Sequence, residues 1–312
     1  MARHIRDIPC GSLRTAGERG LPRDMAQDPP EEAGRRPQHA VRVWPEPLPQ
    51  SAVDTHGHLS DPAFADDLRS VWERAQNAGV RFILDPGVDL PSSRRAMVNA
   101  HTFGGSVRAA VGIHPHEAAS VTETDWRELE HLAASPEVVA IGEIGLDAYR
   151  EISPLAVQER VLLRCLALAQ DTGRPVLLHV RGVYARMLEL LGPNPPVRGV
   201  VHAFWGDRSV AEAFLARGFV LGFGGAVTFR RESALREVVR SIPAGGFVLE
   251  TDMPYLAPYP VRGSRCESAL IAYTARALAD VRGEELHTLL AGTTGAAARL
   301  FPIWTDLPNC AV

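Results

Sequence analysis

From residue 53 onwards, short apolar or β-branched runs alternate with longer segments of helical periodicity. The helical patterns include residues 64–78, 154–171 and 208–217. The predicted strands cover residues 53–55, 81–85, 107–112, 138–142, 175–179, 199–201, 219–222 and 247–250. Eight strand–helix units over about 250 residues predict an α/β fold, a TIM-like (β/α)8 barrel.

A doubly wound parallel sheet shows the same alternation and is the competing fold. The sequence has no G-x-G-x-x-G after the first strand, which removes the usual sign of that alternative. Histidines and carboxylates follow several of the predicted strands at their carboxyl ends. In a barrel those ends converge on one face, where catalytic groups belong, so the strand ends favour the barrel.

The first 50 residues differ from the rest of the chain. They hold eight of the 24 prolines, show no apolar periodicity and end in WPEPLPQ. Such a segment buries too little apolar surface to offset its ordering entropy. The sequence therefore predicts a disordered Pro/Arg-rich arm over residues 1–50 and a barrel domain over residues 51–312. The arm is either a loose tail or a docking element for a protein partner.

Composition excludes several classes of protein. A hydrophobic fraction of 46% and a charged fraction of 22% are ordinary for a globular domain, and no apolar run is long enough for a membrane span. The start lacks the apolar core of a signal peptide, which predicts cytoplasmic residence. The four cysteines form no C-x-x-C pair, and Cys165 fits an apolar helical face. A net charge of −4 argues against a surface that coats nucleic acid, although a metal pair would still attract phosphate.

Six side chains have the chemistry and the placement of metal ligands. His56 and His58 lie two apart, and residues two apart on an extended strand point to the same side. A carboxylate can bridge two cations at a separation of roughly 3.5–4 Å, and two further histidines would complete the second ion. The predicted ligands are His56, His58, Glu143, His179, His202 and Asp252. Imidazole-rich donors suit Zn, Mn, Co, Ni or Fe, whereas Mg usually prefers more oxygen.

Seven segments carry the polar residues at and near the predicted strand ends: DTHGHL (54–59), GIHPHE (112–117), AIGEIGLDAYR (140–150), LLHVR (177–181), VHAFWG (201–206), GFGGAVTF (222–229) and LETDMPYLAP (249–258). In this order they resemble the TatD family of metal-dependent deoxyribonucleases within the amidohydrolase-like barrels. The resemblance covers residues 52–302. It implies a TIM-like barrel, phosphodiesterase or nuclease chemistry, and the same six ligands.

The chain departs from the family pattern in three segments. The chain has Cys266 and Ser268 around Glu267 where the family commonly reads R-N-E-P, and Ala296 where the family has an asparagine. Trp205 follows His202 at the third position, where the family usually has a smaller residue. None of these changes removes a predicted metal ligand, but they leave the identity of the substrate undetermined.

Four residues are predicted to contact substrate. His114 matches a family position that contacts substrate; the alternative is a hydrogen-bonded residue behind the ligands. Arg181 and Arg265 offer bidentate contacts to phosphate oxygens, with surface ion pairs as the alternative. Trp205 would either stack a base at the lip of the pocket or pack against a neighbouring loop.

The predicted function is hydrolysis of DNA or another phosphodiester with a hydroxide activated by two divalent ions. Asp252 would accept the proton of the attacking water, and Glu143 and His114 complete the predicted catalytic residues. One alternative is hydrolysis of a small ester, amide or lactone on the same site. Another is a TatD-like subunit of a multi-protein nuclease or defence complex. Sequence leaves the metal (Zn, Mn, Mg, Co, Ni or Fe), the cleavage polarity and the oligomeric state open.

Overall fold

The computed structural model describes residues 43–301, which form a parallel eight-stranded barrel with helices outside it. The strands are β1 Ala52–Asp54, β2 Val80–Pro86, β3 Val107–Val111, β4 Val138–Asp147, β5 Val176–Arg181, β6 Gly199–His202, β7 Val220–Phe223 and β8 Phe247–Leu249. They pair in chain order, each parallel to the next. The main-chain N–H of Thr55 donates to the carbonyl of Leu249 at 3.0 Å, which brings β1 back to β8. The predicted barrel is confirmed.

The helices alternate with the strands as the periodicity predicts. They are α1 Leu68–Asn77, α2 Leu90–Phe103, α3 Glu123–Ala133, α4 Leu155–Thr172, α5 Tyr184–Leu191, α6 Arg208–Leu215, α7 Ser233–Ser241, α8 Ile271–Arg282 and α9 Leu286–Leu300. The first helix starts later than predicted, because Pro62–Phe64 forms a separate 3-10 turn capped by Asp61. Cys165 lies in the core, as predicted, and Cys266 is also buried and unpaired.

Two apolar clusters separate the inside of the barrel from its outside. The larger one packs the strands against the surrounding helices. The smaller one fills the barrel with side chains such as Val53, Leu84 and Leu177, and Ala296 and Phe301 at the end of α9 join it. Since Thr294 bonds to Ser51 and Arg299 to Gly245, just before β1 and β8, α9 closes the amino-terminal end of the barrel. Ala296 is therefore part of this apolar plug.

Residues 43–50 lie against the barrel. Leu48 is buried and its N–H donates to the carbonyl of Ala78 at 2.9 Å, and Tyr273 and Arg276 of α8 bond to the carbonyls of Val43 and Pro47. The last eight residues of the predicted arm thus pack with the barrel, because Leu48 supplies an apolar anchor. The remainder of that arm, residues 1–42, lies outside the described residues, as do Cys10 and Cys310.

Among residues 43–301, no helix combines the length and the apolar composition that crossing a bilayer requires.

Candidate metal centre

All six predicted ligands meet at the carboxyl end of the barrel. His56 and His58 follow β1, Asp252 follows β8, and the other three lie in β4, β5 and β6. Strand alternation explains the placement on β5, because Leu177, two residues before His179, belongs to the cluster inside the barrel. The sequence prediction that these side chains come together agrees with the structure.

Glu143 lies at the centre of the site, and its two oxygens face different histidines. Its Oε2 lies 3.3 Å from His56 Nε2 and 3.6 Å from His58 Nε2. Its Oε1 lies 3.0 Å from His179 Nδ1 and 3.6 Å from His114 Nε2. The carboxylate is almost fully buried. This division of oxygens is the arrangement that a bridging carboxylate requires.

Asp252 faces three of the same imidazoles with one oxygen. Its Oδ1 lies 3.5 Å from His58 Nε2, 3.5 Å from His202 Nε2 and 4.0 Å from His56 Nε2. The residue has a positive φ of 58°, a conformation that aspartate tolerates better than most side chains. Its N–H donates to the carbonyl of His56 at 2.8 Å, which fixes this backbone beside the end of β1.

The donor atoms form three groups that could each hold a metal ion. His56 and His58 group with Glu143, and His56 and His202 group with Asp252. The third group combines Glu143 and His179 with His114. The prediction placed His179 and His202 on one ion, but in the structure each groups with a different carboxylate. The reason is that His179 faces Oε1 of Glu143, whereas His202 faces Oδ1 of Asp252.

Two histidines are oriented by partners behind them. His58 Nδ1 lies 3.1 Å from the carbonyl oxygen of Pro86, which can only accept, so Nδ1 carries a proton. His202 Nδ1 lies 3.1 Å from Glu250 Oε1, and the same oxygen accepts from the N–H of Ala203 at 2.6 Å. In both rings Nε2 is therefore left for the site. This arrangement of a ligand histidine and an acceptor behind it is common in metal centres.

Asp147 orients His179 in the same way. Asp147 Oδ2 lies 3.2 Å from His179 Nε2 and 3.0 Å from His116 Nε2. Its other oxygen accepts from the N–H groups of Tyr149 and Arg150 at 2.8 and 2.9 Å. Burial raises the pKa of Asp147, but the His116 and His179 hydrogen bonds outweigh it and the pKa falls below its usual range. An ionised Asp147 accepts a hydrogen bond from the Nε2–H of His179, and Nδ1 of the same ring faces Glu143.

The protonation states reveal how the site balances its charges without a cation. Burial opposes the charged forms, yet the facing histidines hold the pKa values of Glu143 and Asp252 below their usual range. Burial lowers the pKa of His58, but Asp252 and Glu143 together raise it to about 9. The pKa of His202 rises to about 10, because Glu250 and Asp252 outweigh its burial. Both rings are therefore cationic at neutral pH and offset the negative charges of Glu143 and Asp252.

The donor set fits divalent metal ions. Without a proton, the Nε2 lone pairs of His58 and His202 would point at carboxylate oxygens, an arrangement that a cation between them stabilises. In addition, burial and the neighbouring His202 lower the pKa of His56 to about 4, which keeps this ring neutral and ready to coordinate. Imidazole nitrogens combined with carboxylate oxygens are the donors preferred by Zn, Mn, Fe, Co and Ni.

His114 is held as a hydrogen-bond donor. Its Nδ1 accepts the main-chain N–H of His116 at 3.1 Å, so a neutral ring carries its proton on Nε2. Burial lowers the pKa of His114 well below its usual value, despite the opposing effect of Glu143. Its Nε2–H points towards Glu143 Oε1. This tautomer suits a contact to a substrate oxygen better than it suits metal coordination.

Arg181 is partly exposed on β5, two residues beyond His179 and on the same side of the strand. Its guanidinium lies 4.3 Å from the centre of the Tyr149 ring. It forms no ion pair within residues 43–301. Its donors therefore remain open to an anion at the mouth.

Arg265 differs from its predicted role. Its Nη1 and Nη2 donate to the two oxygens of Asp67 at 2.8 and 2.7 Å, and Nη2 also donates to Glu267 at 2.9 Å. Arg74 joins the same acids. Sequence could not reveal this network, since Asp67 lies 198 residues away. Arg265 braces the β8–α8 connection to α1, which matches the ion-pair alternative better than a phosphate contact.

Trp205 lies beside the site but faces inwards. It lines a small cavity together with Glu250 and Asp252, and its indole Nε1 is buried without a hydrogen-bond partner among residues 43–301. Its own N–H donates to the hydroxyl of Tyr184 at 3.0 Å. This placement matches the packing alternative better than that of an exposed stacking platform.

Besides Asp147, two buried acids behind the ligands, Glu250 and Asp54, were absent from the predicted site. Glu250 lies behind His202, and its position at the end of the predicted strand, two residues before Asp252, was the signal that could have identified it. Asp54 accepts from the hydroxyls of Thr251 and Ser268, at 2.7 Å each. It thereby ties the end of β1 to the segment after β8. Burial raises the pKa of Asp54 to about 7.

Comparison with known proteins agrees with this geometry. The model of the TatD-related DNase family matches residues 53–302. This chain belongs to the TatD-related DNase family. It is a metal-dependent hydrolase of the TatD type, the class that the sequence predicted.

Relatives of similar length support the assignment. An uncharacterised metal-dependent hydrolase, YabD, from Bacillus subtilis is 36% identical over 254 residues, 80% of this chain and 98% of the relative. The 3'-5' ssDNA/RNA exonuclease TatD of Pectobacterium carotovorum is also 36% identical, over 78% of this chain and 96% of its own length.

Solved structures of other proteins superimpose on this fold. The crystal structure of YjjV, a TatD homologue from Escherichia coli, superimposes with a TM-score of 0.76 at 28% identity, covering 82% of this chain and 98% of that one. The phosphotriesterase homology protein of Escherichia coli, at 14% identity and a TM-score of 0.57 over 80% and 98% of the two chains, shares the barrel fold.

Proposed function

We propose that this TatD-family hydrolase cleaves phosphodiester bonds in nucleic acid, using two divalent cations held by His56, His58, Glu143, His179, His202 and Asp252. The observation that carries the proposal is the division of Glu143, whose Oε2 faces His56 and His58 while Oε1 faces His179. The relatives named as ssDNA/RNA exonucleases support nucleic acid as the substrate, and DNA is the first polymer to test.

The cations, when bound, would supply Lewis-acid chemistry: they make a water molecule more acidic and neutralise charge on the phosphoryl group. The imidazole-rich donor set favours Zn, Mn, Fe, Co or Ni over Mg. His58, His179 and His202 are held for this purpose by Pro86, Asp147 and Glu250, respectively.

The remaining steps belong to side chains of the chain itself. Asp252 is ionised at neutral pH and lies at the mouth, so it can accept the proton of the attacking water. The Nε2–H of His114 can donate to a phosphoryl oxygen, and Arg181 can hold a second one as negative charge grows. Both donors are neutral or positive, which suits a phosphate better than an uncharged ester.

The test begins with metal content and chelation. Metal-free protein, verified by elemental analysis, is reconstituted separately with Mn, Zn, Mg, Co, Ni and Fe. Each form is assayed on bis(p-nitrophenyl) phosphate, single-stranded DNA, RNA, an aryl ester and a lactone. We expect diester cleavage to vanish on chelation and to return with metal. Full cleavage by verified metal-free protein, or turnover of the ester or lactone alone, would contradict the proposal.

Asp252→Asn tests the proton acceptor. The variant keeps the shape of the side chain but removes its charge, and we expect kcat for the diester to fall about 10²- to 10⁴-fold. Asp207→Asn is the matched control, because Asp207 is an exposed N-cap of α6 and asparagine also caps helices well. Equal activity of the two variants would remove Asp252 from the mechanism.

A further inference from the structure

Tyr149 is a large exposed aromatic beside the centre. It follows the end of β4, and 49% of its surface is exposed. A single exposed aromatic is ordinary on a protein surface and does not by itself mark a binding site. Three further observations concern what Tyr149 contacts and how it is held.

The first is the position of Tyr149 relative to the ligands. Its main-chain N–H donates to Asp147 Oδ1 at 2.8 Å, and Asp147 Oδ2 contacts His179 Nε2 at 3.2 Å. Asp147 itself is 1% exposed. Two hydrogen bonds through one buried carboxylate therefore connect the backbone of Tyr149 to a predicted ligand, which fixes the start of this loop against the site.

The second is the guanidinium of Arg181, which stacks over the ring at 4.3 Å. Residues 179 and 181 are separated by about 6.6 Å along the strand, so Arg181 reaches the mouth one pleat beyond His179. The carbonyl of Arg181 accepts the N–H of Ala148 at 3.0 Å, which joins the two segments at their backbones as well.

The third observation concerns the face of the Tyr149 ring that Arg181 does not cover. Arg181 covers one side of the ring, and no aromatic ring within residues 43–301 stacks on Tyr149. Arg181 also has no carboxylate partner in that part of the chain. An aromatic ring and an unpaired guanidinium side by side match the two parts of a nucleotide: a flat base and a phosphate.

We infer that Tyr149, backed by Arg181, forms a stacking subsite for an unpaired nucleobase next to the phosphate that is cleaved. The inference rests on the proposed function and adds to it the recognition of a base. A base can stack on Tyr149 only when it is not covered on both sides by its own strand, so the subsite takes a frayed or single-stranded terminus. Any base fits, because every base presents a π-face.

The experiment compares an intact single-stranded oligonucleotide with one that carries an abasic tetrahydrofuran residue at its terminus. For the unmodified protein, we expect the intact strand to have a KM about 5- to 150-fold lower, the range that corresponds to one base–aromatic stack. For Tyr149→Leu, we expect this ratio to fall towards one. Tyr149→Phe should preserve it, because the ring remains.

The matched control is Ile152→Ala. Ile152 lies in the same loop and is 61% exposed, but it has no π-face. We expect its ratio to equal that of the unmodified protein. Binding of both strands to chelated protein, followed by fluorescence anisotropy, measures the same preference without turnover.

The outcomes separate the two claims. If the unmodified protein cleaves neither bis(p-nitrophenyl) phosphate nor nucleic acid with any metal, the proposed function fails. If it cleaves that diester but treats intact and abasic strands alike, only the stacking subsite is wrong. If Tyr149→Leu keeps the full preference for the intact strand, the base is recognised elsewhere and the inference is overturned.

Discussion

Four histidines of the centre have one ring nitrogen that faces a partner behind the site. The Pro86 carbonyl accepts a hydrogen bond from His58, and the carboxylates of Asp147 and Glu250 lie beside the rear nitrogens of His179 and His202. In His114, by contrast, the rear nitrogen accepts a main-chain N–H. This difference separates three candidate ligands from one donor, although all four are histidines near strand ends. Sequence motifs specify the residue type at such positions, but the tautomer depends on atoms from other segments.

Metal uptake should release protons. In the metal-free protein the pKa values of His58 and His202 are about 9 and 10, so both rings carry protons at pH 7 that an incoming cation must displace. We expect affinity for Mn or Zn to rise as pH increases from 6 to 9. Calorimetry in buffers of different ionisation enthalpy would measure the released protons. A pH-independent affinity with no proton release would contradict these protonation states.

Arg265→Ala should affect stability rather than substrate binding. Removal of Arg265 leaves Asp67 and Glu267 with Arg74 as their remaining cationic partner, and we expect a loss of about 1–3 kcal/mol in the free energy of unfolding at pH 7. The Arg265 hydrogen bond lowers the pKa of Asp67 in the folded state, so this stabilisation exists above the unfolded pKa near 4. The stabilisation is lost as the pH falls through the pKa of Asp67 in the folded protein.

Urea titrations of Arg265→Ala and Asp67→Asn across pH 3–7 would test that assignment. We expect the KM for single-stranded DNA to stay unchanged in both. A large rise in KM for Arg265→Ala with unchanged stability would restore its role as a phosphate contact.

At the scale of single elements, the strands were predictable because their signals are local. All eight predicted strands occur, with ends shifted by at most a few residues except in β4. That strand runs on to Asp147, five residues beyond its predicted end at 142. The extension brings Asp147 to His179, a pairing that depends on the β4–β5 register and so was out of reach of periodicity.

The tight approach of β7 to β8 depends on one glycine. A Cβ at Gly222 would overlap with Glu250 Oε2, and Glu250 is the acid that supports His202. We expect Gly222→Ala to cost about 1–3 kcal/mol in the free energy of unfolding and to weaken metal binding, because Glu250 must move. Thermal unfolding with and without metal would measure both effects.

Gly292→Ala provides the control for that substitution. Gly292 lies within α9, and a methyl group added there would meet no atom of residues 43–301 within 4 Å apart from the backbone of its own helix. Alanine should therefore be neutral or slightly stabilising at this position. Equal behaviour of the two variants would mean that Glu250 has freedom that its contacts do not reveal.

At the scale of the whole molecule, the fold and the convergence of the six proposed ligands were predictable from one sequence, because barrel topology gathers the strand ends. The network around Arg265 was not, since it joins α1 to the segment after β8. The packing of Leu48 was also missed, because one apolar residue among prolines gives no periodic signal. These contacts link segments that are distant in sequence.

The packing of residues 43–50 predicts where the chain can be shortened. A protein starting at residue 43 should retain its stability and its metal-dependent hydrolysis. One starting at residue 51 loses Leu48 and the contacts of Val43 and Pro47 with α8, and we expect it to be less stable by about 2–5 kcal/mol. Leu48→Ala in the full chain should reproduce part of that loss. Denaturation midpoints for the three proteins would decide, and identical values would assign these contacts no energetic weight.

The apolar plug of α9 determines from which end of the barrel substrate enters and product leaves. With Ala296 and Phe301 packed into the interior, the barrel formed by residues 43–301 is entered from the carboxyl ends of its strands. Under the proposed function, a nucleotide released by cleavage would leave through the same opening by which the next substrate strand enters. Product release and substrate binding then use the same opening. Free nucleotide should therefore inhibit the enzyme in competition with substrate.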